Sequence, residues 1–367
     1  MTEQLNSNQT QNASFPKAIT LVGQATVFHA IEKGDLDTIK FYVSHGYEVN
    51  EDMGMVTPLT LAIAQNKPAI MDYLIRQGAD VNKADKSGLT PIEIAIHYGY
   101  LDTVQALLDN DVDVNTPNEN GDIPLHIASK NAKIKIIDRI APYTEDLNLL
   151  NNEDKTPLMI AAENGYPTTT ATLIQAGADV NTKNSKGQTA LMLAAKGDNA
   201  YTLRLLVKQT LEIDSADNQG LTPLHYAAEN NNTSAAQVLL TQGANPNKHA
   251  QKDGATPLIL AIKKGHYDVI ETLLNNNAHV NEPSKYGTPL DYIQGILMRP
   301  ELVPAFERNI LHTQKLLKKA GAKTLETLEK EMQETLSTPP CFALPTPVAF
   351  QKPVAPFIKT QNTLEKE

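Results

Sequence analysis

The sequence predicts an all-α solenoid, in which about nine similar helix pairs stack in a row. Three observations support this prediction. Residues 222–228 read Thr-Pro-Leu-His-Tyr-Ala-Ala, related motifs recur along the chain, and the first six begin 33 residues apart. Glycines also follow the motif at similar positions in most copies. A fixed period of this size is typical of a repeat protein, in which each unit buries its apolar face against the next.

Each motif predicts the start of a helix. Thr222 can act as the N-cap, because its hydroxyl can accept a free N–H of the first turn. Pro223 suits the first helical position, where its missing N–H costs nothing. Leu224, Ala227 and Ala228 then form a narrow apolar stripe that lets a neighbouring helix approach closely. The motifs begin at Thr57, Thr90, Ile123, Thr156, Thr189, Thr222, Thr256 and Thr288.

The rest of each repeat predicts a second helix and a polar turn. Glycines such as Gly99 and Gly177 permit a left-handed C-cap after a helix. A segment like Ala-Asp-Val-Asn follows the second helix, and a polar run with a late glycine then predicts a turn or hairpin. The motif's alanine and the later asparagine are 20 residues apart in several repeats, as from Ala62 to Asn82.

This period and these motifs resemble the ankyrin repeat, whose 33 residues carry Thr-Pro-Leu-His-x-Ala, two helices and a β-turn. The resemblance covers about residues 24–323, or roughly nine repeats. It implies a curved stack of antiparallel helix pairs with short β-hairpin fingers along one edge. It also implies protein binding on the concave face that the fingers and first helices form, without implying a particular partner.

The resemblance places the partner-binding residues at exposed positions of the fingers and the first helices. Tyr98 is expected to be the best single anchor, because tyrosine offers a large contact area with little loss of conformational entropy. The candidate partner-binding residues are Lys83, Lys86, His97, Tyr98, Asn118, Lys130, Asn131, Asn152, Glu163, Asn184, Lys196, Glu229 and Lys263.

The segments before and after the repeats differ from them in composition. Residues 1–23 are expected to form a disordered N-terminal lead that is rich in Asn, Gln, Ser and Thr. Residues 324–338 are expected to form an acidic amphipathic helix that caps the array. Residues 339–367 are expected to be a Pro-rich, extended or disordered tail.

Two repeats depart from the pattern. In repeat 4, Pro142 follows the second helix and should end it early, because proline cannot continue a helix. Repeat 9 has 11 more residues than repeat 8 between its first motif and its end. We expect this insertion, at about residues 296–306, to lie between the two helices of the repeat.

Composition and motifs argue against several functions. The net charge of −10 and the pI near 5.4 disfavour non-specific nucleic-acid binding, which requires many basic residues. The first residues are polar and are not expected to be a signal peptide, and no 18-residue apolar run predicts a membrane span. The single cysteine, Cys341, excludes an intrachain disulfide and is expected to be an inert thiol. His126 and His225 occupy the motif's histidine position, where we expect structural hydrogen bonds instead of catalysis or metal ligation.

The sequence therefore predicts a non-enzymatic, monomeric, cytoplasmic protein that binds a protein partner and needs no cofactor or metal. An alternative is that the repeats are only a scaffold and the tail carries the activity, as a peptide ligand or an export signal. The chain is similar in composition to ankyrin effectors that intracellular bacteria deliver into host cells, which would imply secretion without a Sec signal. Deletion of residues 339–367 would separate the two hypotheses.

Overall fold

The repeats form two layers of helices. The computed structural model describes residues 17–298 and 304–337. A short 3-10 turn, Ala141–Tyr143, follows the eighth helix. The helices are α1 (Lys17–Lys33), α2 (Leu36–Ser44), α3 (Pro58–Ala64), α4 (Pro68–Arg76), α5 (Pro91–Tyr98), α6 (Leu101–Leu108), α7 (Pro124–Lys130), α8 (Ile134–Ile140), α9 (Pro157–Glu163), α10 (Pro167–Ala176), α11 (Ala190–Lys196), α12 (Ala200–Val207), α13 (Pro223–Glu229), α14 (Thr233–Thr241), α15 (Pro257–Lys264), α16 (Tyr267–Asn275), α17 (Pro289–Leu297), α18 (Pro304–Lys319) and α19 (Leu325–Ser337).

The helix starts follow the predicted Thr-Pro pattern, with one difference. The side chain of Thr57 accepts a backbone hydrogen bond in the first turn of α3. Thr90 and Glu93 cap each other reciprocally at α5, with 2.9 Å between Thr90 N and Glu93 Oε2. Thr222 does stand at the N-cap of α13, but its hydroxyl does not accept a first-turn N–H as predicted. It lies 2.9 Å from Nδ1 of His225, so a side chain of the motif replaces the expected backbone partner.

The first helices of the repeats, α1 to α17 in odd numbers, form one layer, and the second helices, α2 to α18, form the other. Among the described residues, extensive helix contacts occur within a repeat or between neighbouring repeats. For example, α9 contacts α7 and α11, while α10 contacts α8 and α12. One apolar core runs through both layers, and Ala161 and Ala162 are fully buried in α9. The all-α solenoid predicted from the period is confirmed.

The fingers between repeats are tight turns that interlock. One backbone hydrogen bond closes each turn, as from Asn118 N to Asp122 O at 3.0 Å. In most cases a second bond joins one finger to the next, as from Asn152 N to Asn120 O at 3.0 Å. No strand occurs in the described part of the chain, so the β-hairpins that the resemblance implies are not present as paired strands. Two fingers contain an isolated antiparallel bridge, Met53 with Val56 and Ser284 with Gly287.

A row of asparagine side chains ties each repeat to the next. The Oδ1 atom of Asn50 accepts a bond from Asp80 N at 2.7 Å, and its Nδ2 donates to Gly78 O at 2.9 Å. Asn50 and its equivalents in the later repeats each stand 20 residues after an alanine of the same repeat. This shared bond to the next repeat explains the constant spacing between the alanine and the asparagine. The asparagines that accept such a bond are Asn50, Asn82, Asn115, Asn148, Asn181, Asn247 and Asn281.

Asp214 takes the place of asparagine in this row. Its carboxylate accepts a bond from Asn245 N at 3.1 Å, and burial raises the pKa of Asp214 above its ordinary value. We expect Asp214→Asn to stabilise the fold by about 1 kcal/mol at neutral pH, because a carboxamide keeps the acceptor without burying a charge.

The pH dependence of this effect has a defined sign. Because the raised pKa of Asp214 lets the folded chain hold its proton longer, the carboxylate costs stability as pH rises above about 4. The gain from Asp214→Asn should therefore shrink as pH falls towards about 4. Thermal denaturation of both proteins over this range measures the difference. An unchanged or lower melting temperature of the variant at neutral pH would contradict the prediction.

The two irregular repeats, 4 and 9, differ from the others in their second helices. In repeat 4, α8 ends at Ile140 and Pro142 lies in the 3-10 turn, as predicted. In repeat 9, α18 has 16 residues, whereas α16 of repeat 8 has 9. Part of the insertion predicted at 296–306 therefore lengthens the second helix. Residues 299–303, between α17 and α18, lie outside the described residues.

The ends of the chain are described in part. Helix α1 begins at Lys17, before the boundary at residue 24 that the sequence suggests, because this first helix lacks the Thr-Pro start. Residues 1–16 and 338–367, which include most of the predicted lead and the Pro-rich tail, lie outside the described residues. Residues from Glu326 onward belong to a second compact unit, so the capping role of α19 stays a prediction.

Candidate functional site

The fingers and the first helices α3 to α17 share one surface, which we call the finger face. Ion pairs join a finger to the end of the following first helix: Lys155 Nζ lies 2.7 Å from Glu163 Oε2, and Lys263 Nζ lies 2.8 Å from Asp253 Oδ2. The candidate residues that are exposed are Lys86, His97, Tyr98, Lys130, Asn131, Asn152 and Lys196. The candidates that are partly buried are Lys83, Asn118, Glu163, Glu229 and Lys263.

Two predicted asparagines serve the finger turns themselves. Asn184 is only 8% exposed, and its Oδ1 accepts bonds from Lys186 N at 3.1 Å and Gln188 N at 2.8 Å. It is therefore not available on the surface as the sequence predicted. The Nδ2 atom of Asn118 donates to Glu93 Oε1 at 2.7 Å, which anchors its finger to the start of α5. In sequence alone, such turn-forming asparagines cannot be distinguished from exposed ones.

A charged network crosses the middle of the finger face. Lys155, which the sequence did not single out, pairs with Glu163 and, at 3.0 Å, with Glu153. Burial alone would lower the pKa of Lys155, but its hydrogen bonds to the two glutamates outweigh this and raise it. Lys196 Nζ lies 3.9 Å from Glu163 Oε1, so the network links repeats 4, 5 and 6. The predicted residues Glu163 and Lys196 therefore lie beside opposite charges of the chain itself.

An aromatic cluster lies towards the N-terminal end of the finger face. The rings of Tyr98 and Tyr100 stack with 5.4 Å between centroids and 14° between planes. His97 meets the edge of Tyr98 at 5.4 Å. Tyr98 is 52% exposed, so stacking holds one side of its ring while the rest stays open to solvent. This geometry suits the anchor role that the sequence suggests for Tyr98.

A second aromatic cluster lies at the C-terminal end of the finger face. Lys263 Nζ stands 4.9 Å from the ring centroid of Tyr292 and 5.9 Å from that of Tyr286. Lys285 Nζ stands 5.4 Å from the Tyr286 ring, which is 62% exposed. Sequence reasoning found Lys263 but missed both tyrosines and Lys285. The sequence signal that could have identified Lys285 and Tyr286 is the Lys-Tyr pair directly before Gly287, at the tip of the last finger.

The motif histidines have structural roles, as predicted. His225 is fully buried, and its Nε2 lies 3.1 Å from Ala255 O in the next repeat. Because a carbonyl oxygen only accepts, Nε2 carries the proton and Nδ1 is left to accept from Thr222 N at 3.1 Å. His126 is also fully buried, with Nε2 3.0 Å from Leu149 O. Each ring therefore connects a helix start to the finger region that follows.

Metal-binding and membrane-spanning features can be examined in the part of the chain that the structure describes. They hold no group of three His, Cys, Asp or Glu side chains that could bind a metal ion. Cys341 lies outside the described residues. In residues 17–298 and 304–337, no helix has the length and apolar character needed to cross a membrane.

The geometry defines a class of protein, a repeat array that presents side chains from a regular backbone. Comparison with known families gives the same result for most of the chain. The description "Ankyrin repeats (3 copies)" matches residues 27–118, 110–184 and 169–250, and "Ankyrin repeats (many copies)" matches residues 248–293. The chain belongs to the ankyrin repeat family, whose members generally serve as protein–protein interaction modules.

The fold is common among solved structures, of which 591 chains match. One is the crystal structure of the ankyrin repeat domain of Bcl-3, described as a unique member of the IkappaB protein family. The two are 27% identical, the match covers 56% of this chain and 94% of that one, and the TM-score is 0.51. No curated protein sequence matches this chain.

Proposed function

We propose that this chain is a non-enzymatic interaction module that binds a protein partner on the finger face, the concave side of an ankyrin array. The observation that carries this proposal is the row of exposed polar and aromatic side chains on an interlocked backbone. Finger-to-finger bonds such as Asn152 N to Asn120 O fix the spacing of these side chains before a partner arrives. A preorganised surface loses little conformational entropy on binding.

The test compares two triple variants with matched chemical changes. The finger-face variant combines Tyr98→Ala, Lys130→Glu and Lys196→Glu. We avoid Lys263, because its ion pair with Asp253 is short, at 2.8 Å, and partly buried, whereas the contact of Lys196 with Glu163 spans 3.9 Å and Lys196 is exposed. We expect this variant to retain less than about one tenth of the partner in affinity capture from a cell extract, since aromatic anchors and charge complementarity dominate binding.

The control variant combines Tyr201→Ala, Lys135→Glu and Lys208→Glu on the second-helix side, where Tyr201 is 75% exposed. It should capture the same partner as the unmodified protein, and all three proteins should melt within about 2 °C of one another, because the changes are at exposed positions. A partner retained by the finger-face variant, or lost from the control alone, would remove the finger face from consideration.

The alternative proposal assigns the activity to the tail, as a peptide ligand or an export signal of a translocated effector. Residues 339–367 lie outside the described residues, so its support is the composition of the sequence. Removing them should leave partner capture unchanged if the finger face carries the function. If capture persists but a cellular phenotype or export is lost, the tail carries that activity. A cytoplasmic location and a monomeric state stay predictions.

A further inference from the structure

The last two fingers of the finger face form a basic surface on an acidic protein. The backbone bond from Lys285 N to Asp253 O, at 2.7 Å, sets the last finger against the one before it. Lys252 precedes Asp253 on that neighbouring fingertip, and Lys263 reaches the same site from α15. We call this group, Lys252, Lys263, Lys285, Tyr286 and Tyr292, the basic–aromatic patch.

The patch has an excess of positive charge. Asp253 pairs with Lys263 at 2.8 Å. No described carboxylate forms an ion pair with Lys252 or Lys285, and both side chains are exposed. The whole chain carries a formal charge of −10, so this local excess runs against the composition. Unpaired cations on such a surface favour an anionic ligand, because their charge is not neutralised by the protein itself.

The tyrosines add a second recognition element. The centroid of the Tyr286 ring lies 5.9 Å from Lys263 Nζ and 5.4 Å from Lys285 Nζ, and the residue is 62% exposed. The hydroxyl of Tyr292 forms a hydrogen bond with Ser284 Oγ at 3.0 Å, which positions this second ring. The Tyr286 ring therefore offers an aromatic contact, and the ammonium group of Lys285 beside it offers a partner for a carboxylate.

We propose that the basic–aromatic patch binds an acidic peptide segment of the partner, in which glutamate or aspartate residues flank an apolar or aromatic side chain. This inference rests on the finger face being the partner-binding surface. A nucleic acid fits less well, because three lysines neutralise few phosphates and the chain's overall negative charge repels a long polyanion. A short segment with a few carboxylates matches both the number of cations and the exposed ring.

The experiment uses the full chain and a labelled synthetic peptide in which glutamates surround one phenylalanine. A second peptide carries glutamine in place of every glutamate. By fluorescence anisotropy, we expect the acidic peptide to bind at least about tenfold more tightly than the glutamine peptide at low salt, and to weaken as salt screens the charges. Lys252→Glu with Lys285→Glu should weaken the acidic peptide at least about tenfold, and Tyr286→Ala should weaken both peptides.

The matched control is Lys135→Glu with Lys208→Glu, which changes the net charge equally on the second-helix side. It should bind the acidic peptide nearly as the unmodified protein does. Equal weakening by both pairs, equal binding of both peptides, or tighter binding of a single-stranded oligonucleotide would overturn the inference. These outcomes leave partner capture through Tyr98, Lys130 and Lys196 unaffected, so the proposed function can fail or stand separately.

Discussion

Leu158→Ala is expected to lower the free energy of unfolding by about 2–5 kcal/mol. Leu158 is the second residue of α9 and is 1% exposed within the continuous core. Helix α9 packs between α7 and α11 in its own layer and against α10 in the other. Because Leu158 is buried and α9 is packed against three other helices, we expect the cavity left by the leucine to close only if neighbouring helices move. Urea denaturation followed by circular dichroism measures the loss.

The chain supplies a control with the same chemical change. Leu211 is 90% exposed in the loop after α12, so Leu211→Ala should change stability by no more than about 0.5 kcal/mol. A repeat array is stabilised by contacts between neighbours, so a weakened centre can also split one unfolding transition into two. A loss below about 1 kcal/mol for Leu158→Ala, in a single transition, would show that Leu158 is not a core residue.

The sequence predicted the fold in detail wherever a residue repeats its role in each module. Each repeat packs against its neighbours in the same way. The same residues therefore recur, namely the threonine at the helix start, the paired alanines and the late asparagine. Asn50 and Asn247, far apart in the chain, make equivalent bonds to the next repeat. Helix α1 lacks the Thr-Pro motif, so the period could not place its start at Lys17.

The candidate site was less predictable, because it depends on which side chains pair across repeats. Lys155 and Glu163 have opposite charges in sequence, but only the fold shows that they lie 2.7 Å apart. Asparagine is usually a surface residue, yet Asn184 is buried within its own finger. The basic–aromatic patch requires residues of two fingers and two helices, and Lys263 was predicted for its helix position alone. Repetition predicts positions, whereas function depends on the differences between repeats.

Mild acid is expected to destabilise this fold through His225. The ring is fully buried in α13, and desolvation lowers the pKa of His225 from its ordinary 6.5 to about 4. Hydrogen bonds from the ring to Ala255 O and the charge of Asp217 oppose this shift without reversing it. A proton on Nδ1 would also face Thr222 N–H, which can only donate.

The sign of the effect follows from which state binds the proton first. Below about pH 6.5 the unfolded chain protonates His225, whereas the folded chain does so only near pH 4. The neutral ring therefore contributes its full stability above about pH 6.5 and loses it as pH falls to about 4, by about 3 kcal/mol in total.

We expect His225→Gln to cost about 1–3 kcal/mol at neutral pH, because the inter-repeat bond weakens, but to flatten the pH dependence in this window. His97→Gln, at an exposed position of α5, should leave the stability at neutral pH nearly unchanged. If His225→Gln keeps the full slope between pH 6.5 and 4, the acid sensitivity lies elsewhere, with carboxylates or with His126.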